Sequence, residues 1–219
     1  MRVREMPPAI AELGGAQNWA APLRARDPHA DFCVSLDPSA HPAMAAPLLA
    51  VHEGVPGHSL QSLAFARAHG GSRAPVRFLA IADDVAMAHS YFGAMVSIEG
   101  WATWVEHRML ELGFYDGFGD DAVVYAWNVR AIRAARVVAD LGLHTGAMSP
   151  AEAERFLVDE ALLPQRLAER EVLRYQRIPL QATTYLGGAL AIDRALARGV
   201  TIDALLAAGP IPPDALRAT

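Results

Sequence analysis

The stretch from His52 to His58 carries residue types that suit hydrolytic chemistry: two imidazoles bracket the Glu53 carboxylate in an otherwise apolar run. Polar groups in such a run are unfavourable unless they are paired or bind a ligand. A hydrolytic zinc site uses three protein ligands, an open position for water and a general base beside that water. We therefore interpret this stretch as part of a zinc site.

The spacing of the two histidines places a condition on the backbone. The usual helical zinc motif has two His four residues apart with Glu beside the first, whereas His52 and His58 are six apart. Six residues of straight helix turn by roughly 240°, which would point the two rings apart. Proline and glycine both disrupt helices, so we predict that Pro56-Gly57 breaks the helix and re-aims His58.

A third metal ligand must come from elsewhere in the chain. Glu99 is the best candidate, because it lies among apolar and aromatic residues where an unpaired carboxylate would be costly. The alternative for Glu99 is an ordinary ion pair with an arginine. Glu106, seven residues later and nearly on the same helical face, is expected to accept a hydrogen bond from a ligand imidazole, or else to be a solvated residue.

The elements that must position these residues are predicted to be mostly helices. Hydrophobic periodicity and helix-end signals, including a capping box at Ser149 and Glu152, indicate a mainly α fold with a minor β element. Helices are predicted from residue 43 through the His52-Glu53 stretch up to Pro56-Gly57, and at residues 58–68, 74–112, 122–141, 150–161, 164–175 and 182–198, with a short one before 210. The one predicted strand covers residues 31–36, and residues 1–30 are predicted to be irregular apart from a short helix around residues 9–13.

Composition narrows the classes of partner and ligand. A net charge of −5 over 219 residues, with scattered arginines, argues against nucleic acid or an anionic membrane surface as partner. The single cysteine, Cys33, excludes an intrachain disulfide framework and leaves histidines and carboxylates as metal ligands. No apolar run approaches the roughly 18 residues of a membrane span, and no signal peptide is recognisable, so we expect a cytoplasmic protein.

Four separated motifs occur in order along roughly residues 31–198. They are His52-Glu53-Gly54-x-Pro56-Gly57-His58-x-x-Gln61, Glu99-Gly100-Trp101-Ala102, Asp140-x-Gly142-Leu143-His144, and Arg174-Tyr175 with Pro179-x-Gln181-Ala182-Thr183-x-Tyr185. Together they resemble the bacterial family called domain of unknown function 885, which is similar to the gluzincin zinc metallopeptidases. Two departures are Ser59, where many members carry a second histidine, and Leu180, where many carry glycine after proline.

The resemblance implies roles for the first two motifs. His52, His58 and Glu99 would hold Zn2+, and Glu53 would be the base that activates the attacking water. The fold would be a zincin-like helical catalytic domain. Because family members are usually more than twice this length, the resemblance also implies that a further N-terminal helical half is missing from this chain.

The later motifs are expected to line the same cleft. Tyr185 or His144 would stabilise the developing oxyanion, Arg174 and Gln181 would bind substrate, and Asp140, like Glu106, would support the ligands from behind. Purely structural roles remain as alternatives for three of these residues. Tyr185 would otherwise be a core or interface residue, His144 a helix C-terminal cap favoured by the dipole, and Arg174 a structural residue.

The sequence thus predicts zinc-dependent hydrolysis of peptide bonds by a metal-activated water, with a peptide or small amide as substrate. The predicted division is an N-terminal segment (1–30), a metallopeptidase-like catalytic domain (31–209) and a tail (210–219). Two alternatives remain. In the first, the chain is a non-catalytic helical binding module or an incomplete peptidase. In the second, it is a zinc hydrolase of non-peptide amides or esters.

Overall fold

Helices dominate the architecture and follow the predicted order. The structure is a computed structural model that describes residues 1–7, 16–21, 27–37, 42–69 and 84–218. The helices are α1 (Ala46–Glu53), α2 (His58–His69), α3 (Asp84–Glu111), α4 (Asp120–Thr145), α5 (Pro150–Asp159), α6 (Gln165–Arg177), α7 (Thr183–Ala197) and α8 (Ile202–Ala208). The mainly α fold with a minor β element is confirmed. The predicted helical residues 9–13 and 74–83 lie outside the described part of the chain.

The predicted strand is confirmed, but it is not alone. Strands β1 (Arg2–Glu5) and β2 (Ala16–Trp19) flank β3 (Asp31–Val34) in a sheet of order β1-β3-β2, with β1 parallel and β2 antiparallel to β3. The prediction of irregular structure throughout residues 1–30 is therefore wrong for these two segments. Each has four residues and no buried alternate positions, so hydrophobic periodicity could not detect them.

The register of β1 against β3 is supported by charge. Arg2 lies opposite Asp31 in the ladder, and its Nε is 3.0 Å from the Asp31 Oδ1, while Arg4 Nη1 is 3.1 Å from Oδ2. The two guanidinium groups hold the pKa of Asp31 below its ordinary value. Opposite charges across neighbouring strands thus replace the apolar pairing that this exposed edge lacks.

The main core is built where α3 crosses α7. Gly100 and Gly188 face each other at this crossing, and a Cβ on Gly188 would lie 2.5 Å from the Gly100 Cα. The missing side chains let the two helix backbones approach each other. Around the crossing lies an apolar cluster formed by α1, α3, α4, α7 and α8, including Val51, Trp101, Val105, Ile192 and Leu205.

A second apolar cluster joins α4, α5 and α6 through residues such as Leu157, Val172 and Tyr175. The predicted capping box starts α5: Ser149 Oγ accepts from the Glu152 amide, and the Glu152 carboxylate accepts from the Ser149 amide at 2.8 Å.

Within the described residues, no helix combines the length and apolarity that a bilayer crossing requires.

Candidate metal centre

The helix break demanded by the histidine spacing is present. Helix α1 ends at Glu53 and α2 begins at His58, with residues 54–57 forming the turn between them. A Cβ at Gly57 would lie 1.9 Å from the His52 carbonyl oxygen, so only glycine allows the chain to fold back this closely. The turn therefore brings His58 alongside His52, with their ring centroids 4.6 Å apart.

Contacts from β2 and α3 hold this turn in place. Asn18 on β2 donates from Nδ2 to the Glu53 carbonyl at 2.9 Å and to Ser59 Oγ at 2.7 Å. Ser59 Oγ also donates to the Glu53 carbonyl, and Trp101 Nε1 on α3 donates to the Pro56 carbonyl at 2.9 Å. Ser59, the departure from the family pattern, is thus fully buried in the support of the helix break.

The Glu99 carboxylate lies close to both proposed histidine ligands. Glu99 Oε2 is 3.4 Å from His52 Nε2 and 3.6 Å from His58 Nε2. Two ligand atoms at zinc-binding distances of about 2.1 Å, arranged tetrahedrally, are separated by roughly 3.4 Å. Glu99 Oε2 therefore lies from each Nε2 atom at the separation expected for two ligands of one tetrahedral ion.

Glu53 is also close, and this raises the question of which carboxylate would bind a metal. One carboxylate oxygen of Glu53 and one nitrogen of each imidazole lie within 4.8 Å of one another. The two Glu99 separations match the edge of a coordination tetrahedron, which makes Glu99 the candidate ligand. Glu53 lies beside the same two imidazoles, and burial raises the pKa of its carboxyl.

One buried atom at this point has no hydrogen-bond partner, which tests whether a cation fits. Glu99 Oε2 makes no hydrogen bond to any described residue. A buried carboxylate oxygen without a donor is costly, and a cation between it and the two facing Nε2 atoms removes that cost. Two imidazole nitrogens and one carboxylate form a donor set that suits Zn2+.

Glu106 lies behind His52, as one interpretation of the sequence expected. The distance from His52 Nδ1 to Glu106 Oε1 is 2.6 Å, which leaves Nε2 facing Glu99. Burial alone would lower the pKa of His52, but the Glu106 carboxylate outweighs it and raises that pKa to about 9. Such a carboxylate fixes both the tautomer and the ring orientation of a ligand histidine.

Arg133 completes this arrangement, and sequence reasoning missed it. Its guanidinium donates to both oxygens of Glu106, from Nη2 at 2.6 Å and from Nε at 3.0 Å, and the side chain is almost fully buried. The signal that could have revealed it is its spacing. Arg133 lies seven residues from both Ala126 and Asp140, which are buried on the same face of α4.

Tyr185 on α7 lies beside the His52 ring. The two ring centroids are 6.5 Å apart and nearly parallel, and the guanidinium carbon of Arg133 lies 4.7 Å from the tyrosine centroid. Burial raises the pKa of Tyr185, so its phenol stays protonated at neutral pH. The structure therefore brings Tyr185 to the cluster, next to a ligand histidine.

Among the described contacts, Arg174 and Gln181 connect to the proposed metal ligands through Tyr185. Gln181 Nε2 donates to the Tyr185 hydroxyl at 3.4 Å, and Arg174 Nη1 donates to Gln181 Oε1 at 2.7 Å. Arg174 also forms an ion pair with Glu171 at 2.7 Å, although its Nε has no partner among the described residues. These contacts fit the structural alternative for Arg174, and its substrate-binding role stays a prediction.

The structure does not bring His144 or Asp140 to the ligand cluster. His144 Nε2 lies 3.1 Å from the Tyr175 carbonyl oxygen at the end of α4, eleven residues beyond Arg133. Eleven residues of helix span roughly 16 Å, which is too far for contact with reacting atoms at His52. Asp140 instead accepts from the Leu180 amide at 3.3 Å and so holds the segment before α7.

Glu171 is expected to make folding sensitive to acid. Burial would raise its pKa, but Arg136 and Arg174 outweigh burial and lower it below the ordinary 4.5. A lowered pKa stabilises the fold above pH 4.5 and loses that contribution as the pH falls further. Glu171→Gln should therefore cost about 2 kcal/mol at pH 7 and flatten the loss of stability below pH 4.5. Thermal unfolding between pH 7 and 3 measures both effects.

The control for Glu171→Gln is Glu169→Gln, two residues away on α6. Glu169 is exposed and accepts only from Gln165 among the described contacts. This control should keep the acid sensitivity of the wild-type protein. Parallel stability curves for Glu171→Gln and wild type would show that the ion pair contributes nothing.

Comparisons with known proteins identify one family and similar solved structures. No curated protein matches the chain. A solved structure of a "putative lipoprotein" from Colwellia psychrerythraea matches with TM-score 0.71 and 25% identity, covering 97% of this chain and 36% of that one. A second solved structure, of a "putative lipoprotein of unknown function" from Shewanella oneidensis, matches with TM-score 0.70 and 21% identity, covering 98% of this chain and 39% of that one.

Both relatives are much longer than this chain, which spans little more than a third of their length. The family described as "Bacterial protein of unknown function (DUF885)" matches residues 1–219, the whole of the sequence. The chain therefore belongs to the domain of unknown function 885 family.

Proposed function

We propose that this chain is the metal-binding catalytic core of a zinc-dependent peptidase. The observation that carries the proposal is the position of Glu99 Oε2, 3.4 and 3.6 Å from the Nε2 atoms of His52 and His58 and without a hydrogen-bond partner among the described residues. A second carboxylate, that of Glu53, lies beside the two imidazoles. Three ligands and one base are the protein groups that metal-assisted hydrolysis of a carbonyl compound requires.

Glu53 is the proposed general base. When bound by His52, His58 and Glu99, zinc supplies Lewis acidity for the scissile carbonyl and makes water more acidic. Glu53 accepts a proton from the attacking water and later gives it to the nitrogen of the leaving amine, as the carbon–nitrogen bond breaks. Burial raises the pKa of Glu53, which makes it a better base than an exposed carboxylate.

Tyr185 is the proposed donor to the oxyanion that develops on the carbonyl oxygen. Its ring lies along His52 and is held by the guanidinium groups of Arg133 and Arg136, at 4.7 and 5.9 Å from the ring centroid. A phenol with a raised pKa keeps its proton and can donate it in a hydrogen bond. His144, by contrast, is proposed to hold the end of α4 rather than to act in catalysis.

The length of the chain supports one competing proposal. Because the chain spans little more than a third of its solved relatives, residues that wall the cleft could be absent. A zinc-binding module without activity would then result. The same groups would also serve a non-peptide amide or ester.

Cytoplasmic localisation stays a prediction, and the lipoprotein descriptions of the two relatives favour a different compartment.

The test is hydrolysis of a mixed peptide library by the purified chain, before and after removal of metal with a chelator. We expect cleavage that is lost on chelation and restored by zinc but not by calcium. Cleavage that survives complete metal removal would contradict the proposal. Full zinc binding without cleavage of any peptide, amide or ester would favour the non-catalytic module.

Arg133→Met should weaken both the fold and the metal site. The change leaves the buried Glu106 without its cation, and removing one partner of a buried ion pair costs about 3–5 kcal/mol. Since Glu106 orients His52, zinc affinity should fall by about 10- to 100-fold. Unfolding by denaturant and zinc competition against a chromogenic chelator measure the two effects.

The matched control is Arg166→Met on α6, where the arginine is exposed. It should leave stability and zinc affinity unchanged. Arg133→Lys should keep part of the stability and of the zinc affinity, because lysine carries the charge but cannot form the bidentate hydrogen bond to Glu106. Wild-type zinc affinity in a folded Arg133→Met protein would exclude a positioning role for Arg133.

A further inference from the structure

An exposed apolar stripe runs along α4 on the side away from Arg133 and the proposed metal ligands. Six residues form it, spaced alternately by three and four positions and all exposed: Val124, Trp127, Ala131, Ala134, Val138 and Leu141. The four large side chains expose between 43% and 65% of their surface. Scattered exposed apolar residues are ordinary, but a continuous apolar stripe on a soluble protein marks an interaction surface.

The spacing of the stripe indicates the shape of its partner. Alternating steps of three and four residues keep the side chains in one line against a second helix, as in the seam between packed helices. The stripe covers 17 helical steps, or roughly 25 Å. The small Ala131 and Ala134 at its centre permit close approach of a helix backbone, and the larger Trp127 and Val138 flank them.

The packing of α4 within the described chain uses positions other than the stripe. Ala126, Arg133 and Asp140, on the far side of the helix, are buried against the rest of the protein, and so are Ala135 and Ala139, which lie between that side and the stripe. The helix therefore has two faces that avoid water, and the described residues cover only one of them. A helix with apolar residues on two sides is characteristic of an element packed between two layers.

The lengths of the solved relatives point to what covers the second face. They match this chain over 97% and 98% of its residues, yet these matches occupy only 36% and 39% of their own length. We propose that the stripe is the docking surface for a helix from the additional chain that the longer relatives carry. The proposal concerns assembly, and it stands independently of the proposed peptidase activity.

The test compares one pair of substitutions in two proteins. Trp127→Glu with Val138→Glu is made in this chain, and glutamates are placed at the two superimposable positions of the full-length Colwellia psychrerythraea protein. In this chain we expect the melting temperature to change by less than about 2 °C, since both side chains face water. In the longer protein we expect a fall of about 5 °C or more, with proteolytic release of the matched region.

The control pair is Leu173→Glu with Leu190→Glu, whose side chains are similarly exposed, 46% and 49%, but lie on α6 and α7. Where the glutamate pair prevents production of the longer protein, Trp127→Gln with Val138→Thr replaces it. A neutral result in both proteins overturns the proposal, and so does a destabilised short chain. A wild-type short chain that dimerises, and that the glutamate pair makes monomeric, would assign the stripe to a second copy and also overturn it.

Discussion

Glu53→Gln is expected to lower the rate of peptide hydrolysis by about 10³-fold while zinc remains bound. Glutamine has nearly the same shape as glutamate but cannot accept the proton of the attacking water. His52, His58 and Glu99, the three proposed ligands, are unchanged in this variant. The loss should therefore appear in kcat rather than KM, and zinc content should equal that of the wild-type protein.

This variant also decides between the two carboxylates at the centre. Glu53 and Glu99 both lie near the histidine nitrogens, and Glu99 is proposed as the ligand because its oxygen lies 3.4 and 3.6 Å from the two Nε2 atoms. Loss of zinc from Glu53→Gln would show that Glu53 is itself a ligand and would overturn its assignment as base. The control is Glu160→Gln, an exposed carboxylate at the end of α5, which should leave both zinc and activity intact.

Gly188→Ala is expected to destabilise the fold by about 2 kcal/mol. The new Cβ would lie 2.2 Å from the Val96 carbonyl oxygen and 2.5 Å from the Gly100 Cα, so the two helix backbones must separate. Overpacking of this kind costs about 3 kcal/mol, and the better helix propensity of alanine returns about 1 kcal/mol. Denaturant unfolding measures the net effect.

The same separation should weaken the metal site, because Glu99 precedes Gly100 on α3 and Tyr185 lies three residues before Gly188 on α7. The neighbouring residue provides the control. Nothing lies within 4 Å of a Cβ built at Gly187, so Gly187→Ala should raise stability by up to about 1 kcal/mol. Equal effects of the two alanines would mean that the helix crossing does not depend on Gly188.

Local signals in the sequence predicted most of the fold. Helix periodicity and the capping box at Ser149 depend on neighbouring residues and so can be read from a single chain. The break at Pro56-Gly57 was predicted because a straight helix cannot direct both His52 and His58, six residues apart, toward one metal ion. Its position was right because proline and glycine act on their own backbone.

The features that sequence reasoning missed all depend on contacts between distant segments. Strands β1 and β2 are defined by pairing with β3, and Asn18 becomes important only because β2 lies against the helix break. Arg133 meets Glu106 from 27 residues away, on another helix. His144 belonged to a family motif, yet it contacts the Tyr175 carbonyl, because motif order does not fix distance along a helix.

The central claim is that His52, His58 and Glu99 hold one zinc ion. The most direct measurement is the zinc content and zinc affinity of the folded, purified chain and of its His58→Ala variant, with His29→Ala as control. We predict about one zinc per chain in the wild type and the control, and a loss of affinity of at least about 100-fold in His58→Ala. A folded wild-type chain that takes up no zinc, or a His58→Ala variant that binds it equally well, would contradict the account.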